Sequence, residues 1–211
     1  MKKNFFYNKS VLITGASGSI GSVILKRLLK YNCKVIRAMS NDENGIYNLS
    51  NEIRDKNKKS FIRTMKEKKI RFLIGDVRDY SRNLQACDKI DIVIHAAAMK
   101  HVSLCEYNPE ETIKTNLIGT KKLIKASIKK KIKKFIFIST DKSVYPSSIM
   151  GKSKRQAETF TVLSNQTANT KFSNIRFGNI IGSRGSVLLN FLSQIKNNKP
   201  ITITHPEMTR F

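Results

Sequence analysis

The feature that most constrains the fold is a glycine-rich turn set between a short strand and a helix. Ser10–Thr14 (SVLIT) is a short, mainly apolar run, TGASGSIG follows at once, and apolar residues then recur at helical spacing. Such a turn needs glycine where a pyrophosphate approaches the backbone, and the helix N-terminus offers N–H groups to an anion. The spacing is GxxGxxG and not GxGxxG, but its place after a strand and before a helix still favours a dinucleotide-binding turn. The residues expected at the cofactor are Gly15, Ser17, Gly18, Ser19, Ile20 and Gly21.

The rest of the chain alternates short apolar segments with helical patterns. This alternation is typical of an α/β fold, here a Rossmann-like doubly wound parallel sheet. In such sheets ligands bind at the carboxyl ends of the strands, so the residues that follow each strand are the functional candidates. A helix is predicted over residues 44–69, and further strands at Lys34–Ser40, Ile70–Ile74, Asp91–Ile94, Phe135–Ile138 and Asn174–Phe177.

The end of the second predicted strand is expected to meet the adenosine ribose of the dinucleotide. An Asp or Glu there would accept the ribose hydroxyls of NAD and repel the additional phosphate of NADP. Ser40 and Asn41 can instead donate to a phosphate, and Arg37 lies nearby within the strand. The pattern therefore favours NADP, with NAD left open.

Two later strand ends supply further cofactor candidates. Asp76 with Val77, in GDVRD, is placed to meet the adenine, although Asp76 would serve equally as a cap of the following helix. Small residues after the fourth strand let a cofactor lie against the backbone. Asn116 has poor propensity for the middle of a helix, which indicates a packing or hydrogen-bonding task. The set expected here is Ala96, Ala97, Ala98, Lys100 and Asn116.

The fifth predicted strand ends in the most chemically active group of side chains. A hydroxyl, a carboxylate and an amine follow it in the order Thr140, Asp141 and Lys142. On the next predicted helix, Met150 and Lys154 are four residues apart and therefore share one face. A solvated polar turn would explain any one of these residues, but the whole set indicates an active site.

Composition argues against several other classes of protein. The net charge is +25, from 40 Lys and Arg against 15 Asp and Glu. The lysine-rich stretches lack interleaved aromatics and match no nucleic-acid-binding motif, so we interpret them as solvated faces. Three cysteines without a CxxC pattern and three histidines without ligand spacing predict neither a disulfide framework nor a metal site. No apolar run reaches the ~18–20 residues of a membrane helix and no signal peptide is evident, so a cytoplasmic protein is expected.

The motifs, taken in order, carry a family resemblance. TGASGSIG, GDVRD, HAAAMKHV, STDKSVYPSSIMGKSK, RFGNIIGSRGSV and THPEMTRF resemble segments of the extended short-chain dehydrogenase/reductases. Within these, the chain is similar to the UDP-N-acetylglucosamine 4,6-dehydratases of bacterial polysaccharide and glycan biosynthesis, from about Lys9 to its last residue. Met150 stands where the usual Tyr-x-x-x-Lys motif has its tyrosine. A thioether cannot take a proton, and part of the dehydratase branch shares this methionine.

The resemblance implies a division of the chain and a homo-oligomeric assembly. Residues 1–180 would form the NAD(P)-binding domain, and residues 181–211 the beginning of a smaller nucleotide-sugar-binding lobe. Family members continue beyond THPEMTRF, so we expect this lobe to be truncated here.

The resemblance also implies roles for the site residues in an internal redox cycle on a UDP-sugar. Lys154 would hold the nicotinamide ribose, and Thr140 would hydrogen-bond the sugar C4 hydroxyl. Asp141 would be the acid at C6 and Lys142 the base at C5, because a desolvated lysine beside other cations loses its proton more readily. Met150 marks the place of the missing tyrosine. The residues expected at the substrate are His101, Glu106, Asn179, Arg184 and Arg210, of which His101 and Glu106 would alternatively only shape their loop.

Two other functions stay open from the sequence. A nucleotide-sugar 4-epimerase or reductase uses the same scaffold, but it would need the tyrosine that Met150 replaces. A catalytically silent NAD(P)-binding module would keep the glycine turn and lack the chemistry.

Overall fold

A computed structural model describes residues 4–56, 69–203, 205 and 207. The strands are β1 (Ser10–Thr14), β2 (Val35–Ser40), β3 (Ile70–Ile74), β4 (Ile92–His95), β5 (Lys134–Thr140) and β6 (Lys171–Phe177). In this described part they form one sheet in the order β3-β2-β1-β4-β5-β6, and every neighbouring pair is parallel. The predicted α/β class is confirmed, and the six predicted strands are present with ends shifted by up to three residues.

Helices connect these strands and cover both faces of the sheet. They are α1 (Ser19–Leu28), α2 (Glu43–Lys56), α3 (Tyr80–Ala86), α4 (Val102–Tyr107), α5 (Pro109–Ile113), α6 (Thr120–Lys129), α7 (Ile149–Thr167) and α8 (Val187–Lys196). A π-helical segment, Lys114–Gly119, joins α5 to α6, and a 3₁₀ turn, Asp141–Ser143, follows β5. The predicted helix over 44–69 begins as α2, and residues 57–68 lie outside the described part.

Alternation along the strands divides the core into two apolar layers. In β5, Phe135 and Phe137 are fully buried on one face, where they pack with residues of α3, α6 and α7. Ile138 faces the opposite layer, together with Leu25 of α1 and Leu49 of α2. Because successive strand residues point to opposite faces, a strand covered by helices on both sides is apolar along its whole length.

The chain reverses its direction of sheet growth between β1 and β4, which are neighbours. Connections leave these two strands toward opposite sides, so a crevice opens beyond their carboxyl ends. The glycine turn after β1 and the small residues after β4 meet at this crevice. The topology therefore places the predicted cofactor residues together.

Candidate active site

The glycine turn is built around backbone contacts that leave no room for side chains. Gly15 has φ +65°, and a Cβ there would lie 2.6 Å from the Ala97 backbone nitrogen. A Cβ on Gly21 would lie 2.2 Å from the Gly15 carbonyl oxygen. Gly18 is the N-cap of α1, so the first N–H groups of that helix face the crevice. The turn therefore fits a pyrophosphate.

Beyond the turn lies a cleft of about 540 Å³. Predicted cofactor residues line it, namely Gly15, Ser17, Gly18, Ser40, Asn41, Asp76, Val77, Ala96, Ala97 and Ala98. Other residues of the predicted cofactor set do not line it, namely Ser19, Ile20, Gly21, Lys100, Asn116 and Lys154. Its lining residues run from the end of β3, past the glycine turn, to the residues after β4.

The end of the cleft next to β2 contains the carboxylate of Asp42, to which the sequence analysis gave no role. The Ser17 and Ser40 hydroxyls lie 2.9 Å apart, and Ser17 also donates to Asp42 Oδ2 at 3.3 Å. Asp42 Oδ1 accepts the Gly45 N–H, so this side chain also begins α2. The predicted support from Arg37 is wrong, because its guanidinium donates to the carbonyls of Gln85 and Ala86.

Asp76 lies at the expected place but does not cap the following helix. Asp79 is the N-cap of α3 and accepts the Arg82 N–H. Asp76 instead accepts from the Arg78 backbone N–H at 2.8 Å and from its guanidinium at 2.7 and 2.9 Å. Partial burial raises the pKa of Asp76, but the Arg78 hydrogen bonds outweigh it and hold that pKa below its usual range.

A loop after β6 crosses the glycine turn and brings Arg184 to the cleft. The Arg184 N–H donates to Ser19 Oγ at 3.0 Å, and its guanidinium lies 3.7 Å from Asp42. Lys100 donates to the Arg184 carbonyl, and burial, then the Arg184 charge, lower the pKa of Lys100. His101 packs against Gly185, where a Cβ would approach its ring to 2.6 Å. Arg184, predicted at the substrate, thus lies beside Asp42 at the β2 end of the cleft.

The turn after β5 holds Thr140, Asp141 and Lys142 in one hydrogen-bonded group. Thr140 Oγ1 donates to Asp141 Oδ1 at 2.8 Å, and Lys142 Nζ lies 3.1 Å from the same oxygen. Lys142 also donates to Asn179 Oδ1 at 3.3 Å. Partial burial raises the pKa of Asp141, but the hydrogen bonds from Thr140 and Lys142 prevail and lower it. The Lys142 side chain is 41% exposed.

Helix α7 carries the other two predicted catalytic side chains toward the core. Met150 and Lys154 are both buried. Lys154 Nζ donates to the Ile138 carbonyl at 2.8 Å and lies 4.4 Å from the centre of the Phe137 ring. Burial lowers the pKa of Lys154 to about 8, against a raising effect of Glu158. Lys154 thus packs against β5, close to the turn that follows this strand, and it does not line the cleft.

Two predicted residues have structural contacts that the sequence left open. Asn116 lies in the π-helical segment, where its amide bonds both the N–H and the carbonyl of Met99 and also Ser153 Oγ. This confirms the hydrogen-bonding task predicted for a mid-helix Asn. Glu106 Oε1 accepts the Ile149 N–H at the start of α7, which supports the loop-shaping alternative. Arg210 lies outside the described residues.

A buried histidine beneath the glycine turn was not singled out by sequence reasoning. The Thr120 hydroxyl donates to the Asn116 carbonyl at 2.7 Å, so its oxygen accepts from His95 Nε2 at 2.8 Å. His95 Nδ1 then accepts from Thr14 Oγ1 at 2.7 Å. Burial, helped by the Lys154 charge, lowers the pKa of His95 to about 3, so the ring is neutral. A buried ring with both nitrogens bonded links the turn to the π-helical segment.

Among the described residues we looked for a metal-binding cluster and for a membrane-spanning helix. No group of three or more His, Cys, Asp or Glu side chains among them could hold a metal ion. Within the same ranges, no helix combines the length and apolar character needed to cross a bilayer.

Comparison with solved structures gives the same architecture. Pen from Bacillus thuringiensis is 43% identical and superposes with a TM-score of 0.90, covering 98% of this chain and 62% of that one. A more distant structure, the Bordetella bronchiseptica enzyme WbmF in complex with NAD⁺, shares the fold at 16% identity, with a TM-score of 0.75 over 98% of this chain and 65% of that one.

Sequence relatives extend well beyond the length of this chain. An uncharacterized membrane protein, MJ1061 of Methanocaldococcus jannaschii, is 46% identical over 99% of this chain and 60% of its own length. A UDP-glucose 4-epimerase of Rickettsia bellii is 41% identical over 98% of this chain and 59% of its own length. The chain thus spans about 60% of these relatives. The model of the family described as polysaccharide biosynthesis protein matches residues 11–211, and the chain belongs to this family.

Proposed function

We propose that the chain is the catalytic part of an NADP-dependent UDP-N-acetylglucosamine 4,6-dehydratase for surface polysaccharide or glycan synthesis. The observation that carries this proposal is the hydrogen-bonded group of Thr140, Asp141 and Lys142 at the carboxyl end of β5. It presents an acid–base pair where a doubly wound sheet binds its ligand. Membership of the polysaccharide biosynthesis family supports a nucleotide-sugar substrate.

The glycine turn and the cleft supply the cofactor site of this proposal. The close approach at Gly15 and the N-terminus of α1 would hold the pyrophosphate. Ser17, Ser40 and Asn41 offer donors to a 2′-phosphate, and the guanidinium of Arg184 is near enough to add charge. The bound nicotinamide supplies a reversible hydride acceptor, so the reaction has no net oxidation. Asp42 lines the same end of the cleft and would by itself favour NAD, but the Arg184 guanidinium 3.7 Å away offsets its charge. NADP is therefore proposed, with NAD as the alternative. A cytoplasmic, homo-oligomeric enzyme stays a prediction.

The Asp141–Lys142 contact provides the two protonation states that dehydration needs. In the resting site the lowered pKa of Asp141 leaves it a carboxylate that faces the Lys142 amine. Transfer of one proton across this 3.1 Å contact gives a neutral acid and a neutral amine. Lys142 then accepts the C5 proton while Asp141 donates to the departing C6 hydroxyl, which leaves as water. Exclusion of water by the bound sugar favours the neutral pair, because it removes solvation from both charges.

Thr140 and Lys154 act at the C4 hydroxyl in this scheme. Thr140 would hydrogen-bond that hydroxyl, and the cation of Lys154 would hold the nicotinamide ribose and favour loss of the hydroxyl proton. Met150 cannot accept it, so Asp141 or Lys142 is proposed to relay this proton through water to solvent, before the proton transfer within the pair. For substrate contacts, Asn179 has direct support because it already bonds Lys142. His101, Glu106 and Arg210 stay predictions for this role, whereas Arg184 is proposed at the cofactor instead.

Incubation of the purified protein with UDP-N-acetylglucosamine tests the proposal. The expected product is a 4-keto-6-deoxy sugar nucleotide, lighter by one water in mass spectrometry, with solvent deuterium entering at C5. Lys142→Ala should abolish turnover and leave NADP binding unchanged. Full turnover by this variant would refute the assignment of the base.

A 4-epimerase is the second candidate, favoured by the named function of the Rickettsia bellii relative. Epimerisation would give a product of unchanged mass that differs by NMR at C4, without exchange at C5. A silent NAD(P)-binding module would bind the cofactor and give neither product.

A further inference from the structure

Glu158 is a buried carboxylate that the proposed reaction does not use. It lies in α7, four residues after Lys154, and its side chain is only 4% exposed. Buried carboxylates are rare unless they are paired, because burial strips the charge of its solvation. It does not line the cleft, so direct contact with the cofactor does not explain it.

Donors from two other elements bond this carboxylate directly. Arg176 of β6 donates to both oxygens, at 2.9 and 2.7 Å. Ser143 of the 3₁₀ turn donates at 2.8 Å, and Ser139 at the end of β5 donates in turn to Ser143 Oγ at 3.5 Å. Burial raises the pKa of Glu158, but Arg176 and the neighbouring serines prevail and lower it. The group is therefore a satisfied anion.

Ser143 connects this anion to the turn that carries the acid–base pair. Its hydroxyl is fully buried and lies 2.7 Å from the Thr140 carbonyl as well as 2.8 Å from Glu158. A hydroxyl has one hydrogen, and an anionic acceptor makes the stronger bond. The carboxylate thus holds Ser143, which is the last residue of the 3₁₀ turn Asp141–Ser143, and through it the position of that turn.

The same carboxylate also fixes the turn relative to the helix of Met150 and Lys154. Arg176 is the direct neighbour of Ser139 in the β5–β6 register, so the ion pair joins the sheet edge to α7. A shift of Glu158 would change the distance between the turn and this helix. Reacting groups misplaced by about 1 Å can lose about 10²-fold in rate.

We propose that Glu158 is a positioning residue that holds the Thr140–Asp141–Lys142 turn against helix α7 through Ser143. Its effect on turnover rests on the proposed function, whereas its effect on the turn does not.

Hydrogen exchange of the protein without substrate tests the positioning itself. In Glu158→Gln the charge is lost with little change of shape, and Ser143→Ala removes the bridge from the side of the turn. In both variants the backbone amides of Lys142 and Val144 should exchange faster than in the wild-type protein, because these amides donate hydrogen bonds within the turn. Peptides covering residues 14–21 should be unchanged. Asp88→Asn is the matched control, since it removes an acidic partner of Lys130 at a distant surface.

Turnover with UDP-N-acetylglucosamine then measures the consequence for catalysis. Glu158→Gln and Ser143→Ala should each lower kcat by about 10²-fold with an unchanged dissociation constant for NADP. The double variant should be no slower than either single variant, because both remove one connection. Unaltered exchange in the turn, or additive losses in kcat, would overturn the proposal. If the wild-type protein forms no product while the exchange result holds, the proposed function fails and the positioning of the turn stands.

Discussion

Two regions of the molecule are both rich in apolar residues but differ in whether other elements cover those side chains. In the region from β1 to β5, Phe135 and Phe137 are fully buried between sheet and helices. In α8, Leu188, Leu192 and Ile195 are 45%, 54% and 58% exposed, and no residue of that helix is buried. The comparison teaches that amphipathic periodicity predicts an element and its apolar face, but not whether a partner covers that face.

The largest expected effect is a difference in unfolding free energy between a core substitution in β5 and a substitution in α8. Phe137→Ala removes a ring that packs against His95 and other core residues, so we expect a loss of about 3–5 kcal/mol in the free energy of unfolding. Leu192→Ala should change it by less than about 0.5 kcal/mol, because the side chain is already exposed. Urea unfolding followed by circular dichroism measures both values. Equal losses would show that α8 is packed as tightly as β5.

The second prediction compares a buried histidine, His95, with an exposed one, His101, as groups that change stability at low pH. The pKa of His95 is about 3 in the folded protein, below its ordinary value of 6.5. Below pH 6.5 the unfolded chain therefore binds a proton that the folded chain does not, and stability falls as pH falls toward 3. At pH 4.5 this amounts to about 3 kcal/mol relative to pH 7.5.

His95→Gln isolates this contribution. The variant should be less stable than wild type at pH 7.5, because it breaks bonds to Thr14 and Thr120, and the difference should shrink at pH 4.5. Thermal unfolding at both pH values gives the comparison, with His101→Gln as the exposed control. A difference that is the same at both pH values would contradict the neutral state assigned to His95.

The third prediction compares a closely packed glycine of the glycine turn with an unpacked glycine after β6. Gly15→Ala places a Cβ 2.6 Å from the Ala97 nitrogen at φ +65°, so we expect a loss of about 1–3 kcal/mol and much weaker NADP binding. Gly178→Ala meets no atom within 4 Å, and it should be neutral or slightly stabilising. Cofactor fluorescence titration and thermal unfolding check both variants. Equal NADP affinity in the two would contradict the assignment of the glycine turn.

The sequence predicted most of the fold because short-range patterns determine it. The strand, glycine turn and helix from Ser10 to Leu28 follow from local apolar spacing and from conformations that only glycine adopts readily. The parallel orientation of the strands follows from their alternation with helices, because parallel strands need crossover connections. The start of β6 at Lys171 was less clear, because its exposed, polar residues weaken the apolar signal.

The site was harder to predict where it depends on contacts between distant segments. Arg184 contacts Asp42, which is 142 positions away in the chain. The sequence around neither residue contains a pattern that predicts this contact. Arg37 was misjudged because strand position alone does not say where a long side chain ends. The contact of Glu158 with Arg176 could not be predicted without the register of β5 and β6. Such groups are fixed by tertiary packing, which sequence periodicity does not encode.

The smallest effect concerns the uncovered face of α8. Leu192→Lys with Ile195→Lys places two charges where apolar side chains are exposed, so folding stability should change by less than about 0.5 kcal/mol per substitution. Self-association, measured by sedimentation velocity, should fall, because contiguous exposed apolar surface favours association. The matched control is Val23→Lys, because Val23 is 58% exposed and is the single exposed large apolar residue of α1. Since single exposed apolar residues are ordinary on protein surfaces, this control should leave association unchanged. Equal reductions in both proteins would mean that charge alone, and not the face of α8, governs association.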